Sequence, residues 1–300
     1  PTACVGAHGR RRARGGGQSS QRQGPDDEAT IPKRLHFVWH DWSGGANPEP
    51  DEGAFPSAWK ESWPKYLGEE WEITVWDLEA SRALIEERYP SFLPTYDAYP
   101  YNIQRADACR YFILDTYGGI YADMDYELLK DPTLILCGIE LGLSLRKAEL
   151  AGVAKGGVQN SLMASAPSHP YWETVIMELV FRAQMPPPEE GDGSYGEYIV
   201  LTTGPDLLSD CLRAMDAAER ERLRVTLFEP ADVFPFAWGE YDALVEEARG
   251  RGEGDECSLH SVVAAAARES GATAIHHFVG AWMSAGPRCA SKNRADGGGG

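Results

Sequence analysis

One stretch of the chain decides the fold: residues 105–125, which read RADACRYFILDTYGGIYADMD. Residues 102–117 contain no Pro or Gly, and their apolar side chains recur at helical spacing, so the sequence predicts a helix there. Gly118 and Gly119 follow and supply the left-handed conformation that ends a helix sharply. Residues 120–122 then form a short apolar run. The stretch therefore predicts a helix, a glycine turn and a buried strand in immediate succession.

Two carboxylates, Asp123 and Asp125, stand at the end of this strand. In an extended chain they point to the same side, where they repel each other and where burial raises their pKa values. A bound Mn²⁺ or Mg²⁺ removes both difficulties, because these cations prefer oxygen ligands and bridge carboxylates to phosphates. Asp107 and Arg110 lie on the apolar face of the preceding helix, where a charged pair is costly unless it is paired and used. We expect them to point towards a metal held by the two later carboxylates.

Each of these features alone has a simpler interpretation. An Asp-x-Asp pair is usually a solvated strand end, and an Asp–Arg pair on a helix is usually a surface ion pair. The combination in one short unit favours a functional site over both.

The same residues resemble the family 32 glycosyltransferases, the DXD-containing sugar transferases. The resemblance lies in Arg105-Ala-Asp-x-x-Arg-Tyr and Leu-x-x-Tyr-Gly-Gly-Ile-Tyr-x-Asp-x-Asp. The family includes initiating α-mannosyltransferases and inositol-phosphoceramide mannosyltransferases. The resemblance implies an α/β fold of the GT-A nucleotide-sugar-binding type, with a mostly parallel central sheet flanked by helices. It also implies metal-dependent transfer of a hexose, with mannose favoured, and with retention of anomeric configuration.

The pattern outside this unit agrees with an α/β fold. Strands and helices alternate, which is typical of βα units that build a parallel sheet. The predicted strands are Leu35–Trp39, Trp71–Trp76, Arg224–Phe228 and Asp232–Phe236, and the first predicted helices are Phe55–Leu67 and the segment from Asp77 to about Tyr89.

The resemblance assigns further residues to the donor. It implies that Val38 and Trp39, at the end of the first strand, line the nucleotide pocket, and that Asn160 belongs to the sugar-binding side. It also implies that Trp282 borders the diphosphate, while Asp107 and Arg110 orient the donor. From the residues alone, a core or loop role for Trp39 is favoured over stacking on a nucleotide base at the end of the strand, and Asn160 is an edge or turn residue.

Two adjacent histidines, His276 and His277, lie near the end of the predicted domain. In a strand they face opposite ways, so at most one points at the site. The resemblance implies a third metal ligand here, with His277 the preferred candidate and His276 the alternative.

Composition limits the classes of function and of partner that fit this chain. The net charge of −18 and the pI of about 4.8 disfavour nucleic acid as a partner. No apolar run approaches the roughly 18 residues of a membrane span. The six cysteines form no Cys-x-x-Cys pair, which disfavours zinc and leaves disulfide pairing undetermined. Residues 1–29 and 284–300 have the composition of disordered tails around a single domain, residues 30–283.

The predicted enzyme is thus a glycosyltransferase using Mn²⁺ or Mg²⁺. GDP-mannose is the favoured donor, although UDP-sugars also fit, and the acceptor is a glycan or an inositol-phosphate lipid. The resemblance favours the Golgi membrane or lumen and a role in glycosphingolipid biosynthesis. Two other functions stay open at this point: a non-catalytic nucleotide-sugar-binding or carbohydrate-binding protein, and a metal-dependent phosphohydrolase using the same acidic pair.

Overall fold

The computed structural model describes residues 31–40, 57–146, 157–189, 194–252 and 256–278. Trp282 and the predicted tails, residues 1–29 and 284–300, lie outside these ranges. Within them the strands are β1 (Arg34–Val38), β2 (Glu72–Trp76), β3 (Gly119–Ala122), β4 (Tyr126–Leu128), β5 (Leu141–Leu145), β6 (Val158–Ser165), β7 (Val225–Phe228) and β8 (Ala274–His276).

The helices in the same ranges are α1 (Ser57–Leu67), α2 (Leu78–Arg88), α3 (Leu93–Ala98), α4 (Asn102–Tyr117), α5 (Thr133–Leu136), α6 (Pro170–Arg182), α7 (Tyr195–Thr202), α8 (Pro205–Ala214), α9 (Ala217–Arg222), α10 (Pro230–Val233), α11 (Trp238–Gly250) and α12 (Glu256–Glu269). None of these described helices combines the length and apolar character that crossing a membrane requires. Helices α11 and α12 pack against each other around a small apolar core that contains Val245 and Leu259.

Six strands form one sheet in the order β2-β1-β3-β6-β5-β7. Strand β1 pairs in parallel with β2 and β3, and β5 pairs in parallel with β7. Strand β6 is antiparallel to both of its neighbours, β3 and β5, so the other five strands share one direction. The predicted α/β class, with a mostly parallel central sheet flanked by helices, is therefore confirmed.

The junction between α4 and β3 depends on its two glycines. Helix α4 spans Asn102–Tyr117, as predicted, and Gly118 ends it with φ of 62°. Gly119 has φ of 96°, and a Cβ atom there would lie 2.4 Å from the carbonyl oxygen of Arg34 in β1. A side chain would be strained by the backbone angle at either position, and it would also collide with Ser165 and Pro167 at Gly118 and with β1 at Gly119. Glycine therefore allows the chain to leave the helix and enter the sheet directly.

Two apolar cores lie on the two faces of β3. Ile120 packs in one core with Leu35 and Trp63, whereas Tyr121 packs in the other with Tyr111. The alternation follows from strand geometry, because successive side chains point to opposite faces. Helix α4 covers the second face and is buried along most of its length, which carries its charged residues into the interior.

A separate two-stranded sheet joins distant parts of the chain. Strand β4 pairs antiparallel with β8, and Tyr126 is opposite His276. The indole of Trp63 in α1 donates a hydrogen bond to the carbonyl oxygen of Tyr126 at 3.0 Å. This pairing places the strand that follows the acidic pair beside the C-terminal histidines.

The predicted strand at Asp232–Phe236 is wrong, because residues Pro230–Val233 form the short helix α10. Pro230 occupies its first turn, where the fixed φ of proline favours a helix and its missing N–H is not needed. The amide of Phe234 donates back to the carbonyl oxygen of Pro230 at 2.7 Å. Local helix chemistry thus outweighs the β-rich composition of this segment.

Candidate active site

The acidic pair is brought together by a turn at the end of β3. Asp123 donates its amide to the carbonyl oxygen of Ser161 at 2.8 Å, and its own carbonyl accepts from the amide of Tyr126 at 3.0 Å. Met124 and Asp125 form the turn between them. The two carboxylates converge as predicted, but through this turn and not through an extended strand. Asp125 is buried and Asp123 is partly buried.

His276 completes a group of three side chains with metal-binding atoms. Its Nε2 lies 3.0 Å from Oδ1 of Asp125. One ligand atom from each of Asp123, Asp125 and His276 falls within 4.8 Å of the others. Burial alone would lower the pKa of His276, but the adjacent carboxylate of Asp125 raises it above its ordinary value.

The structure does not place His277, the preferred candidate for the third ligand, beside the acidic pair; the alternative, His276, lies there. His277 points away from the acidic pair: its Nδ1 lies 2.9 Å from the hydroxyl of Tyr241, and its Nε2 lies 3.2 Å from a carboxylate oxygen of Glu127. Its ring stacks on Trp59, with the centroids 4.1 Å apart. The two histidines face opposite ways, as their strand position predicts. Only the pairing of β4 with β8 decides which of them meets the carboxylates.

Arg110 links the helix to the acidic pair. Its guanidinium lies 2.8 Å from Oδ1 of Asp107 and 3.0 Å from Oδ1 of Asp123, and it also donates to the carbonyl oxygen of Asn160 at 2.9 Å. The face of the guanidinium lies over the ring of Tyr121, 4.7 Å from its centroid. The predicted convergence of the helix charges with the carboxylates is therefore present.

Asp107 is a buried carboxylate, and both of its oxygens accept hydrogen bonds. Its Oδ1 accepts from Nδ2 of Asn160 at 3.0 Å as well as from Arg110, and its Oδ2 accepts from the hydroxyl of Thr203 at 3.1 Å. Burial raises its pKa to about 6, against the opposing pull of Arg110. Asp107 is therefore mostly ionised at neutral pH and held in one orientation.

Asp123 retains capacity for a further ligand. Its Oδ1 accepts hydrogen bonds from Arg110 and, at 2.6 Å, from the hydroxyl of Tyr121. Its Oδ2 accepts none from the part of the chain that the structure describes. Burial raises the pKa of this carboxyl, and the guanidinium opposes that rise. The two carboxylates fit Mn²⁺ or Mg²⁺, which take oxygen ligands, and the imidazole nitrogen favours the transition metal, Mn²⁺, of the two.

These groups line one cavity of about 280 Å³. The predicted donor residues that the structure describes are all on its wall; they are Val38, Trp39, Asp107, Arg110 and Asn160. Asp123, Asp125 and His276 lie on the same wall, so the cavity contains the acidic pair and the charges of α4 together. Trp282 lies outside the described residues.

Several residues of the site were not singled out from the sequence. Tyr121 supports both Asp123 and Arg110, and its position one residue after Ile120 already places it on the opposite face of β3. Thr203 reaches Asp107 from the end of α7, 96 residues away in the chain. No local sequence pattern predicts this contact, because it depends on how α7 packs against α4.

Comparison with known proteins finds similarity in the region that carries the acidic pair. Residues 57–139 match the family described as "glycosyltransferase sugar-binding region containing DXD motif". Residues 57–139 are thus similar to the DXD-containing sugar-binding region of glycosyltransferases. The predicted resemblance is thereby confirmed, and the matched DXD region includes α4, the glycine turn and both carboxylates.

Individual relatives are similar over parts of their length. Inositol phosphoceramide mannosyltransferase 2 of Schizosaccharomyces pombe is 35% identical over 183 residues, which are 59% of this chain and 45% of that protein. A mannosyl phosphorylinositol ceramide synthase of Saccharomyces cerevisiae is 38% identical over 128 residues, 41% of this chain and 31% of that protein. The chain thus spans less than half the length of these relatives.

Among solved structures, the UDP-bound glycosyltransferase domain from the YGT toxin aligns with a TM-score of 0.44 and 10% identity. The alignment covers 81% of this chain and 90% of that domain.

Proposed function

We propose that this chain is a divalent-cation-dependent glycosyltransferase of the GT-A type, which moves a hexose from a nucleotide-diphosphate sugar to a hydroxyl group. The observation that carries the proposal is the meeting of Asp123, Asp125 and His276 with the Asp107–Arg110 pair in one cavity. A metal site alone would serve many reactions. Here the metal site lies beside a buried arginine and beside carboxylate and amide groups that form hydrogen bonds. This combination suits a donor that contains both a diphosphate and a sugar.

Asp123, Asp125 and His276 are the residues that would hold the cation. A bound Mn²⁺ or Mg²⁺ supplies positive charge where negative charge develops on the departing diphosphate. Arg110 holds Asp123 from one side while Tyr121 donates to the same oxygen, so this carboxylate is oriented before the substrate arrives. Such preorganisation avoids rearrangement during the reaction.

Asp107 and Asn160 would position the donor sugar. The carboxylate of Asp107 is fixed by three hydrogen-bonding partners, and the amide of Asn160 also donates to the hydroxyl of Tyr111 at 3.1 Å. Rigid polar groups of this kind contribute mainly by holding the reacting atoms in place. At the end of β1, Trp39 offers an aromatic surface on the same cavity wall for the nucleotide base.

Retention of configuration is proposed from the family resemblance, and the carboxylates of the described cavity wall lead us to prefer a route without a covalent intermediate. These carboxylates are Asp107, Asp123 and Asp125. Asp107 is fully engaged by its partners, and the other two belong to the metal-binding group. None is left to act as a nucleophile, so attack by the acceptor hydroxyl on the face of the leaving diphosphate is the preferred route.

Mannose is the proposed sugar, GDP-mannose the proposed donor and an inositol-phosphate lipid the proposed acceptor, with a glycan as the alternative. This choice is supported by the names of the relatives, which are mannosyltransferases of inositol phosphoceramide. Such an acceptor is embedded in a membrane, and the Golgi membrane is the proposed location.

A donor panel tests this proposal. Purified protein is incubated with GDP-mannose, UDP-glucose and UDP-galactose, with Mn²⁺ or with a chelator, and free nucleotide and sugar are measured. We expect slow, Mn²⁺-dependent hydrolysis of GDP-mannose, which becomes transfer when an acceptor is added. Asp125→Ala should abolish both, whereas Glu221→Ala, a change at an exposed carboxylate of α9, should abolish neither.

The other outcomes separate the competing functions. Donor binding without hydrolysis or transfer would indicate a non-catalytic binding protein. Hydrolysis that no acceptor captures would indicate a phosphohydrolase. Hydrolysis unaffected by chelation would contradict the metal requirement.

A further inference from the structure

One part of the cavity wall is aromatic and was given no role in the donor binding proposed above. It consists of Phe234, just after α10, Trp238, the first residue of α11, and Phe278, two residues after β8. The rings of Phe234 and Phe278 meet edge to face at 5.1 Å, and those of Trp238 and Phe278 lie 6.0 Å apart. We call these three residues the aromatic wall.

Trp238 is an unusual tryptophan for this protein. It retains 41% exposure although it borders a cavity, and no other tryptophan in the described ranges is classed as exposed. Trp59, Trp63 and Trp172 are buried. The indole N–H of Trp238 donates to the carboxylate of Asp242. An indole whose N–H is already bonded, and whose ring is open to a cavity, is suited to packing against a ligand.

Phe278 is held in a strained backbone conformation. Its φ is 53°, in the left-handed region that a residue with a Cβ seldom adopts. Strain of this kind persists where the surrounding structure fixes it and is concentrated at binding and catalytic sites. In this conformation the Phe278 ring contacts His276, with the centroids 4.5 Å apart.

The aromatic wall is adjacent to the metal-binding group. Both phenylalanines touch the ring of His276, since Phe234 stacks against it at 5.6 Å. In the proposed reaction the acceptor hydroxyl attacks on the face of the leaving diphosphate. An acceptor that reacts in this way must lie next to the metal-binding residues, which is where the aromatic wall is.

The charges of the cavity indicate what the wall binds. Arg110 is the only lysine or arginine on the described lining of the cavity, and it is already paired with Asp107 and Asp123. A phosphate group of the acceptor would therefore meet no unpaired lysine or arginine on this lining. A neutral polyol ring does fit, because the C–H groups of its face pack on aromatic rings while its hydroxyl groups reach the polar residues beside them.

We propose that Trp238 and Phe278, supported by the buried ring of Phe234, form the acceptor subsite and bind the polyol ring of the acceptor, either the inositol of a lipid headgroup or a hexose of a glycan. This assignment rests on the proposed transferase function. In this proposal the aromatic wall recognises the ring of the acceptor and not its phosphate.

The test measures ring binding directly. Saturation-transfer NMR and titration follow methyl α-D-mannopyranoside and glycerophosphoinositol in the presence of GDP and Mn²⁺. The proteins are the wild type, Trp238→Ala, Trp238→Phe and a control, Phe181→Ala, which removes an exposed aromatic ring from α6. Calorimetry with GDP and Mn²⁺ on the same proteins gives nucleotide affinity.

We expect at least one of the two rings to bind the wild type. Trp238→Ala should weaken that binding about two- to ten-fold, since it removes one stacking partner, and Trp238→Phe should restore part of it. Phe181→Ala should bind as the wild type does. Binding of glycerophosphoinositol alone would indicate a lipid acceptor, binding of the mannoside alone would indicate a glycan, and either supports the ring subsite.

Three results would overturn the assignment: neither ring binds the wild type, Trp238→Ala binds both rings normally, or Trp238→Ala loses GDP affinity by the same factor as ring affinity. The last would mean that the wall holds the nucleotide base. Absence of donor hydrolysis by the wild type would contradict the transferase function. The ring-binding measurement could still be interpreted, because it does not require turnover.

Discussion

Replacing Arg110 by methionine tests how the charges of the site are balanced. The guanidinium lies within 3.0 Å of both Asp107 and Asp123, and its side chain is only 6% exposed. Methionine keeps most of the apolar volume but removes the charge and the donors. Two buried carboxylates then lose the cation that they share.

The expected loss is large because the site is buried. Removing one partner of a buried ion pair lowers the free energy of unfolding by about 3–5 kcal/mol. The Asp107 carboxyl already has a pKa of about 6 in the wild type, where burial is the main cause, and losing the guanidinium raises this pKa further. A buried acid with a raised pKa binds more protons in the folded protein than in the unfolded one. Stability therefore falls as the pH rises through the folded-state value.

The stability lost in Arg110→Met should therefore depend on pH. Near pH 5 Asp107 is largely protonated in both proteins, so the variant loses the hydrogen bonds of the guanidinium and its pairing with Asp123, but not the charge interaction with Asp107. At pH 8 the Asp107 carboxylate of the wild type is paired with the Arg110 guanidinium, whereas that of the variant has no cation beside it. The full loss of unfolding free energy therefore appears at pH 8. Urea unfolding at pH 5, 6.5 and 8 measures the difference at each pH.

Arg82→Met is the matched control. Arg82 pairs with Asp97 and Glu86 on the surface, where its side chain is 43% exposed, and such pairs contribute about 0–1 kcal/mol. A loss for Arg110→Met below about 1 kcal/mol at pH 8, or a loss equal at pH 5 and pH 8, would refute this account of the buried pair.

Three further changes test separate parts of the structure. Trp39→Ala should weaken nucleotide binding by about 1–3 kcal/mol in calorimetry, the value of one base stacked on an aromatic ring, with little change in Mn²⁺ affinity. His276→Ala should lower Mn²⁺ affinity about ten-fold or more, measured by electron paramagnetic resonance. Gly119→Ala should destabilise the fold by about 1–3 kcal/mol more than Gly271→Ala, because both have left-handed backbones but only Gly119 faces another strand.

Each of these has a clear contrary result. Unchanged nucleotide affinity would remove Trp39 from the donor site, and unchanged Mn²⁺ affinity would remove His276 from the metal site. Equal unfolding curves for the two glycine variants would mean that the contact with Arg34 is not tight.

The central unit was predictable because it is local. Helix α4, its glycine stop, β3 and the acidic pair follow one another without interruption, and each is specified by neighbours in sequence. The inward direction of Asp107 and Arg110 also followed from helical spacing. Family resemblance then brought in Val38, Trp39 and Asn160, whose place on the cavity wall their own neighbours would not have indicated.

The parts that could not be predicted depend on contacts between distant segments. The choice between His276 and His277 depends on the register of β8 against β4, and the residues paired there, Tyr126 and His276, are 150 positions apart. The aromatic wall likewise draws one residue from each of three segments that meet only in the folded chain. Sequence patterns report the face of an element, but not which other element covers that face.

The most direct test of the central claim is Mn²⁺ binding to the wild type and to Asp125→Ala, with circular dichroism to confirm that both are folded. The wild type should bind Mn²⁺, bind it more tightly with GDP present, and need it for donor turnover. The variant should stay folded and lose both Mn²⁺ binding and turnover. If Asp125→Ala binds Mn²⁺ as the wild type does, or turns over donor at a similar rate, then the acidic pair is not a metal site.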